Sequence, residues 1–270
     1  MTGIVVENVW KEYGDQIVLE NISLTIAPRS FVALVGPSGC GKTTFLKMLL
    51  SEERPTRGRI LVDDEPISPE PGPDRGVVFQ RYSVFPHLTV LGNVLLGAEL
   101  AASPVTGRLF GPARKKAIAE ARALLAEVGL SEAEKKYPAQ LSGGMQQRLA
   151  LAQALMKRPK VLLLDEPFGA LDPGIRAEIH GLMRRLWNEV PLTVVMVTHD
   201  LSEAFGLGTR VIAFERRRQR PEESARYGAT IRTDITLWPP RLAGGPDHRD
   251  DPAVSSPSGR DVPALQAMGR

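Results

Sequence analysis

The segment Gly36-Pro-Ser-Gly-Cys-Gly-Lys42-Thr43 holds the densest chemistry in the chain. Its spacing fits G-x-x-x-x-G-K-[ST], and it lies where that motif has to lie, after the apolar run FVALV and before a helical segment. Glycines let the backbone wrap an anion, so that successive amides and the helix N-terminus aim donors at phosphate oxygens. Lys42 adds a point charge for the outer phosphates, and the Thr43 hydroxyl is a ligand for Mg²⁺. A second group stands far along the chain, where Val161-Leu-Leu-Leu ends in Asp165-Glu166. That pattern puts Asp165 at the carboxyl edge of a strand, where ligands gather in open α/β sheets. Asp165 is then placed to hold the Mg²⁺ of a nucleotide, and Glu166 to polarise a water for in-line attack on the γ-phosphate. A third group is Leu141-Ser-Gly-Gly-Met-Gln-Gln-Arg148, in which Ser142 caps a helix and Gly143 and Gly144 expose its first amides as a second anion site.

The elements that must carry these residues are legible around them. Short β-branched runs recur at Ile4–Val6, Val18–Ile26, Phe31–Val35, Ile60–Val62, Val77–Phe79, Val161–Leu164, Thr193–Val197 and Arg210–Phe214. VLLLD and TVVMVT are apolar throughout, as strands buried on both faces of a sheet are. Helical patterns fall at Lys42–Leu50, Ala113–Val128, Met145–Met156 and Ile175–Trp187, the last introduced by Asp172-Pro173 as N-cap and first-turn proline. Asp200 with Glu203 predicts a capping box for one more helix. Strands alternating with helices predict an α/β fold with a mainly parallel sheet. The first strands have no helix between them and are expected to be antiparallel. Helices crowd between Leu88 and Met156, as in an inserted helical subdomain, and Ala101–Pro112 reads as a loop. The α/β unit is expected over residues 1–215, followed by a charged, proline-rich extension over 216–270, with one short strand at Ile231–Trp238 and disorder after Gly244.

Composition narrows the function classes. At 270 residues, 43% hydrophobic and 24% charged, the chain has material for a sizeable core and is neither disordered nor collagen-like. No apolar run has the length needed to span a bilayer. MTGIVVENVW lacks a basic stretch followed by an apolar one, so a secretory signal is not expected. Cys40, the one cysteine, excludes an internal disulfide and any multi-cysteine metal site. Its place inside the glycine-rich segment predicts a thiol open to alkylation when no nucleotide covers it. A net charge of +3 is too small to argue for nucleic acid.

Together these motifs make the chain resemble the ATP-binding subunits of ABC transporters over about residues 1–215. The resemblance implies the P-loop NTPase fold, with an antiparallel N-terminal β-subdomain and a helical subdomain near 88–156. It implies ATP bound by Gly36, Pro37, Ser38, Gly39, Cys40, Gly41, Lys42, Thr43 and Thr44, with Mg²⁺ on Thr43, Asp165 and Gln80. LSGGMQQR is similar to the family signature, so Leu141, Ser142, Gly143, Gly144, Met145 and Gln146 would meet the ATP of a partner subunit. Tyr13, in WKEYGD, matches the aromatic that stacks on adenine, and Gln80, after VVF, the glutamine that senses Mg²⁺ and the membrane partner. Ala170-Leu171-Asp172 matches the D-loop. His199, at the end of TVVMVTH, matches the switch histidine on the γ-phosphate, so Glu166, His199 and Lys42 form the implied catalytic set. His87, His180 and His248 stand in no such context.

The function implied is ATP hydrolysis in a head-to-tail dimer that closes on ATP and powers solute import. QRYSVFPHLTVLGN, with Tyr82 and Phe85, matches the region facing the membrane permease subunits. Its details, with those of LLLDEPFGALDPGIR, look most like importers of the nitrate, sulfonate, taurine and bicarbonate type. Those partners, and indirectly a solute-binding protein, place the chain on the cytoplasmic face of the membrane as a peripheral subunit. Two alternatives stand beside this reading: a soluble ABC ATPase acting on nucleic acid or ribosomes, and an export ATPase. The first usually brings two cassettes or a long coiled-coil insertion, and the sequence has neither.

Overall fold

The structure is a computed structural model, and it describes residues 3–79, 84–102, 108–169, 171–216 and 227–237. In chain order the elements are β1 (Ile4–Tyr13), β2 (Gln16–Ile26), β3 (Phe31–Val35), α1 (Lys42–Leu50), β4 (Arg57–Val62), β5 (Glu65–Pro66) and β6 (Arg75–Val78). There follow α2 (Val90–Ala102), α3 (Gly111–Glu127), α4 (Gly143–Leu155), β7 (Val161–Asp165), α5 (Pro173–Glu189), β8 (Thr193–Val197), α6 (Leu201–Leu207), β9 (Arg210–Arg216) and β10 (Ala229–Thr236). The strands form one sheet in the order β5-β4-β1-β2-β10-β9-β3-β8-β7-β6.

The sheet has two characters, and the sequence explains both. From β9 to β6 the neighbours run parallel, and β3, β7 and β8 are buried at every position, which is why they read as unbroken apolar runs. β1, β2, β4 and β5 pair antiparallel, and the second half of β2 alternates buried and exposed residues as a strand covered on one face does. Alternation along the central strands also sorts the helices. Val32, Leu34, Leu163, Val195 and Phe214 point to one face, where they meet Phe45, Leu46 and Leu49 of α1. Ala33, Leu162, Leu164, Val194 and Met196 point to the other, where they meet Leu151 of α4 and Ile179 and Met183 of α5. The helix after the glycine-rich segment and the helix capped by Ser142 therefore belong to different layers.

Four expectations change in detail. β6 runs Arg75–Val78 rather than Val77–Phe79, because the buried Arg75 anchors its start: the guanidinium donates to Ser51 Oγ at 2.6 Å and to the Glu70 carbonyl at 3.1 Å. The loop expected over 101–112 is shorter, since α2 runs through Ala102 and α3 begins at Gly111 with Pro112 in its first turn; residues 103–107 lie outside those described. The capping box at Asp200 is half built. Asp200 Oδ1 accepts from the amides of Ser202 and Glu203, but Glu203 turns inward to Thr198 instead of reaching back, and Thr198 Oγ1 takes the Asp200 amide. Finally, β10 comes from beyond residue 215, where the sequence reading ends the domain, yet it lies inside the sheet. It pairs antiparallel with β9 from Ala229 to Thr236, and Ala229 bridges Leu19 of β2. Disorder after Gly244 concerns residues outside those described.

Phe45 and Phe214 are both fully buried and meet edge to face at 5.4 Å, joining α1 to β9. Phe45→Ala should cost about 3–5 kcal/mol in urea unfolding, through lost transfer energy and the cavity left behind. Leu100→Ala, on an exposed position of α2, should stay within about 0.5 kcal/mol. Equal losses for the two would contradict the layer assignment of α1.

Candidate functional site

Parallel registration builds the site. β3, β8 and β7 are adjacent and point the same way, with Leu34 opposite Val197 and Val197 opposite Asp165. The chain segments leaving their carboxyl ends, Gly36–Gly41, Thr198–Asp200 and Glu166–Gly169, therefore share one edge of the sheet. β6 ends beside them, with Val78 opposite Leu164; Gln80, two residues on, lies outside the described residues, as does Ala170.

The segment between β3 and α1 needs its glycines for two separate reasons. Gly36 and Gly41 have φ of 147° and 97°, which side chains rarely adopt. A Cβ on Gly36 would also run into the Phe214 carbonyl oxygen, so the chain can leave β3 only as glycine. Pro37, Ser38 and Gly39 are exposed, and Gly41 is the N-cap of α1. Lys42 is 5% exposed and folds over the segment, donating from Nζ to the carbonyls of Gly36 at 2.7 Å and Pro37 at 3.0 Å. The ammonium is thus held at the mouth of the cradle with carbonyl partners that a phosphate oxygen can replace. Cys40 is 3% exposed, its sulfur 3.8 Å from Lys42 Nζ. The expectation of an open thiol is corrected: Cys40 points under the loop, not out of it.

Two oxygens converge below Lys42. Thr43 Oγ1 donates to Asp165 Oδ1 at 3.0 Å, which ties the start of α1 to the end of β7. Burial pushes the Asp165 carboxyl above its ordinary range, opposed by the Thr43 hydrogen bond and reinforced by the neighbouring Glu166 charge. A hydroxyl and a carboxylate at this spacing are the hard oxygen donors that Mg²⁺ takes together with phosphates and water. Glu166 adopts φ of 45°, unusual for a residue with a side chain, and its amide is fixed on the Val197 carbonyl at 2.9 Å. Its Oε2 lies 3.5 Å from Nδ1 of His199, whose side chain is 60% exposed. A carboxylate with an imidazole beside it at a sheet edge can accept a proton from water and orient a further acceptor.

The remaining predicted residues fall in other places. Tyr13 ends β1 with its ring 45% exposed and Lys11 Nζ over it at 4.7 Å. Lys11 is itself pinned by Glu53 at 2.7 Å and the Arg54 carbonyl at 2.9 Å. Burial and the nearby Glu53 raise the Tyr13 phenol above its ordinary range, while Lys11 holds the Glu53 carboxyl below its own. Thr44 is half-buried in the first turn of α1. Ser142 caps α4 as expected, accepting from the Met145 amide at 3.4 Å, with Ser142 and Gly143 exposed. Met145 packs on the core, and Gln146 reaches back to the Pro138 carbonyl at 2.9 Å. Leu141 is buried, and Asp172 caps α5 through the Ile175 amide at 3.0 Å. In the segment around Phe85, which is exposed, the fully buried Asn93 accepts from the Phe85 amide and donates to the Phe85, Leu88 and Thr89 carbonyls; Tyr82 is outside the described residues.

Sequence reasoning missed Lys11, Arg176, Thr198 and Glu203. Lys11 carried a usable signal, since two residues along a strand put it on the face of Tyr13. The others meet only through the fold.

Comparison with known proteins identifies relatives of the chain. The ABC transporter family model matches residues 19–169. The bicarbonate transport ATP-binding protein CmpD of Synechocystis is 44% identical over 213 residues, 77% of this chain and 73% of its own length. The aliphatic sulfonates import ATP-binding protein SsuB of Burkholderia ambifaria is 39% identical over 276 aligned positions, covering 99% of this chain and 79% of its own. Among solved structures, the ATP-binding cassette MJ0796, in a dimeric post-hydrolysis state bound to ADP and Pi, superposes with a TM-score of 0.69 at 31% identity, over 87% of this chain and 98% of that one.

The packing of α4 yields a direct test. A Cβ on Gly144 would strike Ile175 Cγ2 of α5, whereas one on Gly143 would only touch Leu171 at 4.0 Å. Gly144→Ala should therefore cost about 1–3 kcal/mol by overpacking, and Gly143→Ala well under half of that. Adding Ile175→Ala to Gly144→Ala should return part of the loss, read by denaturant midpoints; no recovery would mean the glycine serves something other than this contact.

Proposed function

The chain belongs to the ABC transporter family, and on that footing we propose that it is the ATP-binding and ATP-hydrolysing subunit that powers solute import. The observation that carries the site assignment is the Thr43–Asp165 hydrogen bond at 3.0 Å, which joins the phosphate-binding turn to the strand bearing Glu166. Lys42 exchanges its carbonyl partners for oxygens of the outer phosphates, and the amides of Gly39–Thr43 with the start of α1 hold the rest of the chain of phosphates. Thr43 and Asp165 would hold Mg²⁺, with Gln80 assigned from sequence as the third side chain, and the bound ion would supply positive charge toward the phosphates. Glu166 accepts the proton of the attacking water. His199, with Nδ1 next to Glu166, uses its other nitrogen on the γ-phosphate. Tyr13 stacks on adenine with Lys11 behind its ring.

The second set of donors comes from another copy of the chain. α1 and α4 pack on opposite faces of the sheet, and this supports a reading in which the amides at the start of α4 meet the triphosphate of a partner, in a homodimer closed by ATP. Leu171 and Asp172 line the seam, Ala170 is assigned to it from sequence alone, and Leu141 and Gln146 hold the capped turn. In this reading residues 1–215 and β10 form the ATP-binding domain, with the helices of 88–156 as its inserted subdomain. The segment around Phe85 faces permease subunits, and a solute-binding protein supplies the cargo. The relatives named as transport and import ATP-binding proteins support a peripheral subunit on the cytoplasmic face; among the described residues no helix is long and apolar enough to cross a membrane. The relatives named for bicarbonate and aliphatic sulfonates favour a small anionic solute of the bicarbonate, nitrate or sulfonate class.

Two experiments test this. Glu166→Gln keeps the shape and removes the base, so turnover should fall at least about a hundredfold while ATP accumulates in a dimer seen by size exclusion. Wild-type turnover in that variant would remove Glu166 from catalysis. The shared site is tested by mixing Lys42→Ala with Ser142→Arg chains, each inactive alone. Random mixing leaves one whole site in about half of the dimers, so activity should return towards roughly a quarter of wild type, with ATP trapped at the restored site. No trapping after a tagged pull-down confirms mixing would overturn the homodimer model.

A further inference from the structure

Between α5 and α6 lies a largely buried set of polar side chains that the hydrolytic chemistry leaves unused. Arg176, near the start of α5, divides its guanidinium among three groups. Nη2 donates to the Leu171 carbonyl at 3.0 Å, Nη1 reaches Asp200 Oδ2 at 3.2 Å, and Nε faces Glu203 Oε1 at 3.6 Å. Glu203 is 2% exposed, and its other oxygen accepts from the Thr198 hydroxyl at 2.6 Å. That hydroxyl in turn accepts from the Asp200 amide at 3.0 Å. The residues on both sides of His199 are thus tied to the guanidinium that also grips the carbonyl of Leu171. His180 completes the set, with Nε2 3.8 Å from Glu203 Oε1 and its ring edge-on to the buried Phe168 at 4.8 Å.

This cluster stops just short of completion. Arg176 Nε, His180 Nε2 and Glu203 Oε1 are buried without hydrogen-bond partners among the described residues, yet they converge at 3.6 and 3.8 Å. Burial lowers the His180 imidazole and raises the Glu203 carboxyl from their ordinary ranges. A shift of about half an ångström brings Nε into bonding range of Oε1, and satisfying buried polar groups is what such a shift gains.

We propose that Arg176 is a positioning residue that couples the Leu171-Asp172 turn to His199. Pressure of a second chain on the turn draws the guanidinium onto Glu203, and the completed bonds set Thr198 and Asp200, and with them the imidazole between. The proposal rests on the reading that His199 acts on ATP at a dimer seam. It makes hydrolysis, rather than nucleotide capture, depend on the Leu171 carbonyl being held.

The test compares the full chain with Arg176→Gln, Glu203→Gln, their double variant and His199→Ala, in ATP hydrolysis, nucleotide binding and thermal melting. Nucleotide Kd should stay within about twofold and kcat should fall about tenfold, with the double variant no slower than the slower single. Arg176→Lys, which keeps the charge without the fork, should fall between wild type and Arg176→Gln. Thr198→Val, which removes one hydroxyl, should give the same loss in kcat alone and stands in if Arg176→Gln does not fold. Full kcat in Arg176→Gln, or in Thr198→Val, would overturn the proposal. So would Kd, melting and kcat declining together, since that marks a plain structural role, or losses that multiply in the double variant. The His199→Ala arm separates the two levels: normal hydrolysis there defeats the reading of His199 itself, whereas an inactive His199→Ala beside a fully active Arg176→Gln defeats only the coupling.

Discussion

The parallel hydrogen bonding of β3 to β8 and of β8 to β7 is the constraint from which the rest follows. It holds Leu34, Val197 and Asp165 in one row, so the three segments that carry reactive groups start from the same line. No long-range design of loops is then needed. Two of the turns are anchored to the neighbouring strand: the Glu166 amide on Val197 and the Thr198 amide on Leu34. The apolar burial of these strands on both faces makes the row rigid, because any slip would move a full layer of core side chains across the sheet.

The cradle's own cation is satisfied electrostatically within its loop. Lys42 would be a costly buried cation if it waited without partners, but two carbonyls of its own loop hold it. In the proposed function, binding a phosphate is an exchange of acceptors in place rather than the burial of a new charge. Asp165 is in a matching position, protected from solvent and carrying the Thr43 hydroxyl. The pair is preorganised, so little ordering is left to be done when a nucleotide arrives.

What the sequence made legible is what depends on neighbours in the chain. Gly36–Thr43 could be read because its glycines, lysine and threonine act within one turn, and Asp165 because a run of apolar residues ending in a carboxylate has few other meanings. Ser142 and Asp172 were readable as caps for the same reason. Glu203 was misread for the opposite one: its spacing from Asp200 fits a local box, but α5 offers Arg176 and His180 across the gap, and a partly satisfied buried site drew the carboxylate inward. Cys40 was placed correctly in the loop, yet the direction of a side chain in a turn follows from backbone dihedrals that composition does not carry. β10 shows the limit most plainly, since nothing near residues 229–236 announces a position between β9, just before it in the chain, and β2, made much earlier.

That position has a consequence in time. A chain emerging from the ribosome completes β2 early and β9 late, and until residues 229–236 follow, each presents an unpaired row of backbone donors and acceptors. β10 then pairs along β9 and bridges β2 at Leu19. Before it arrives, the nascent domain carries two sticky margins able to recruit stray strands, its own or another chain's. Synthesis of β10 is therefore the event that joins these two margins, and any delay between Arg216 and Ala229 lengthens the interval in which a holdase has something to shield.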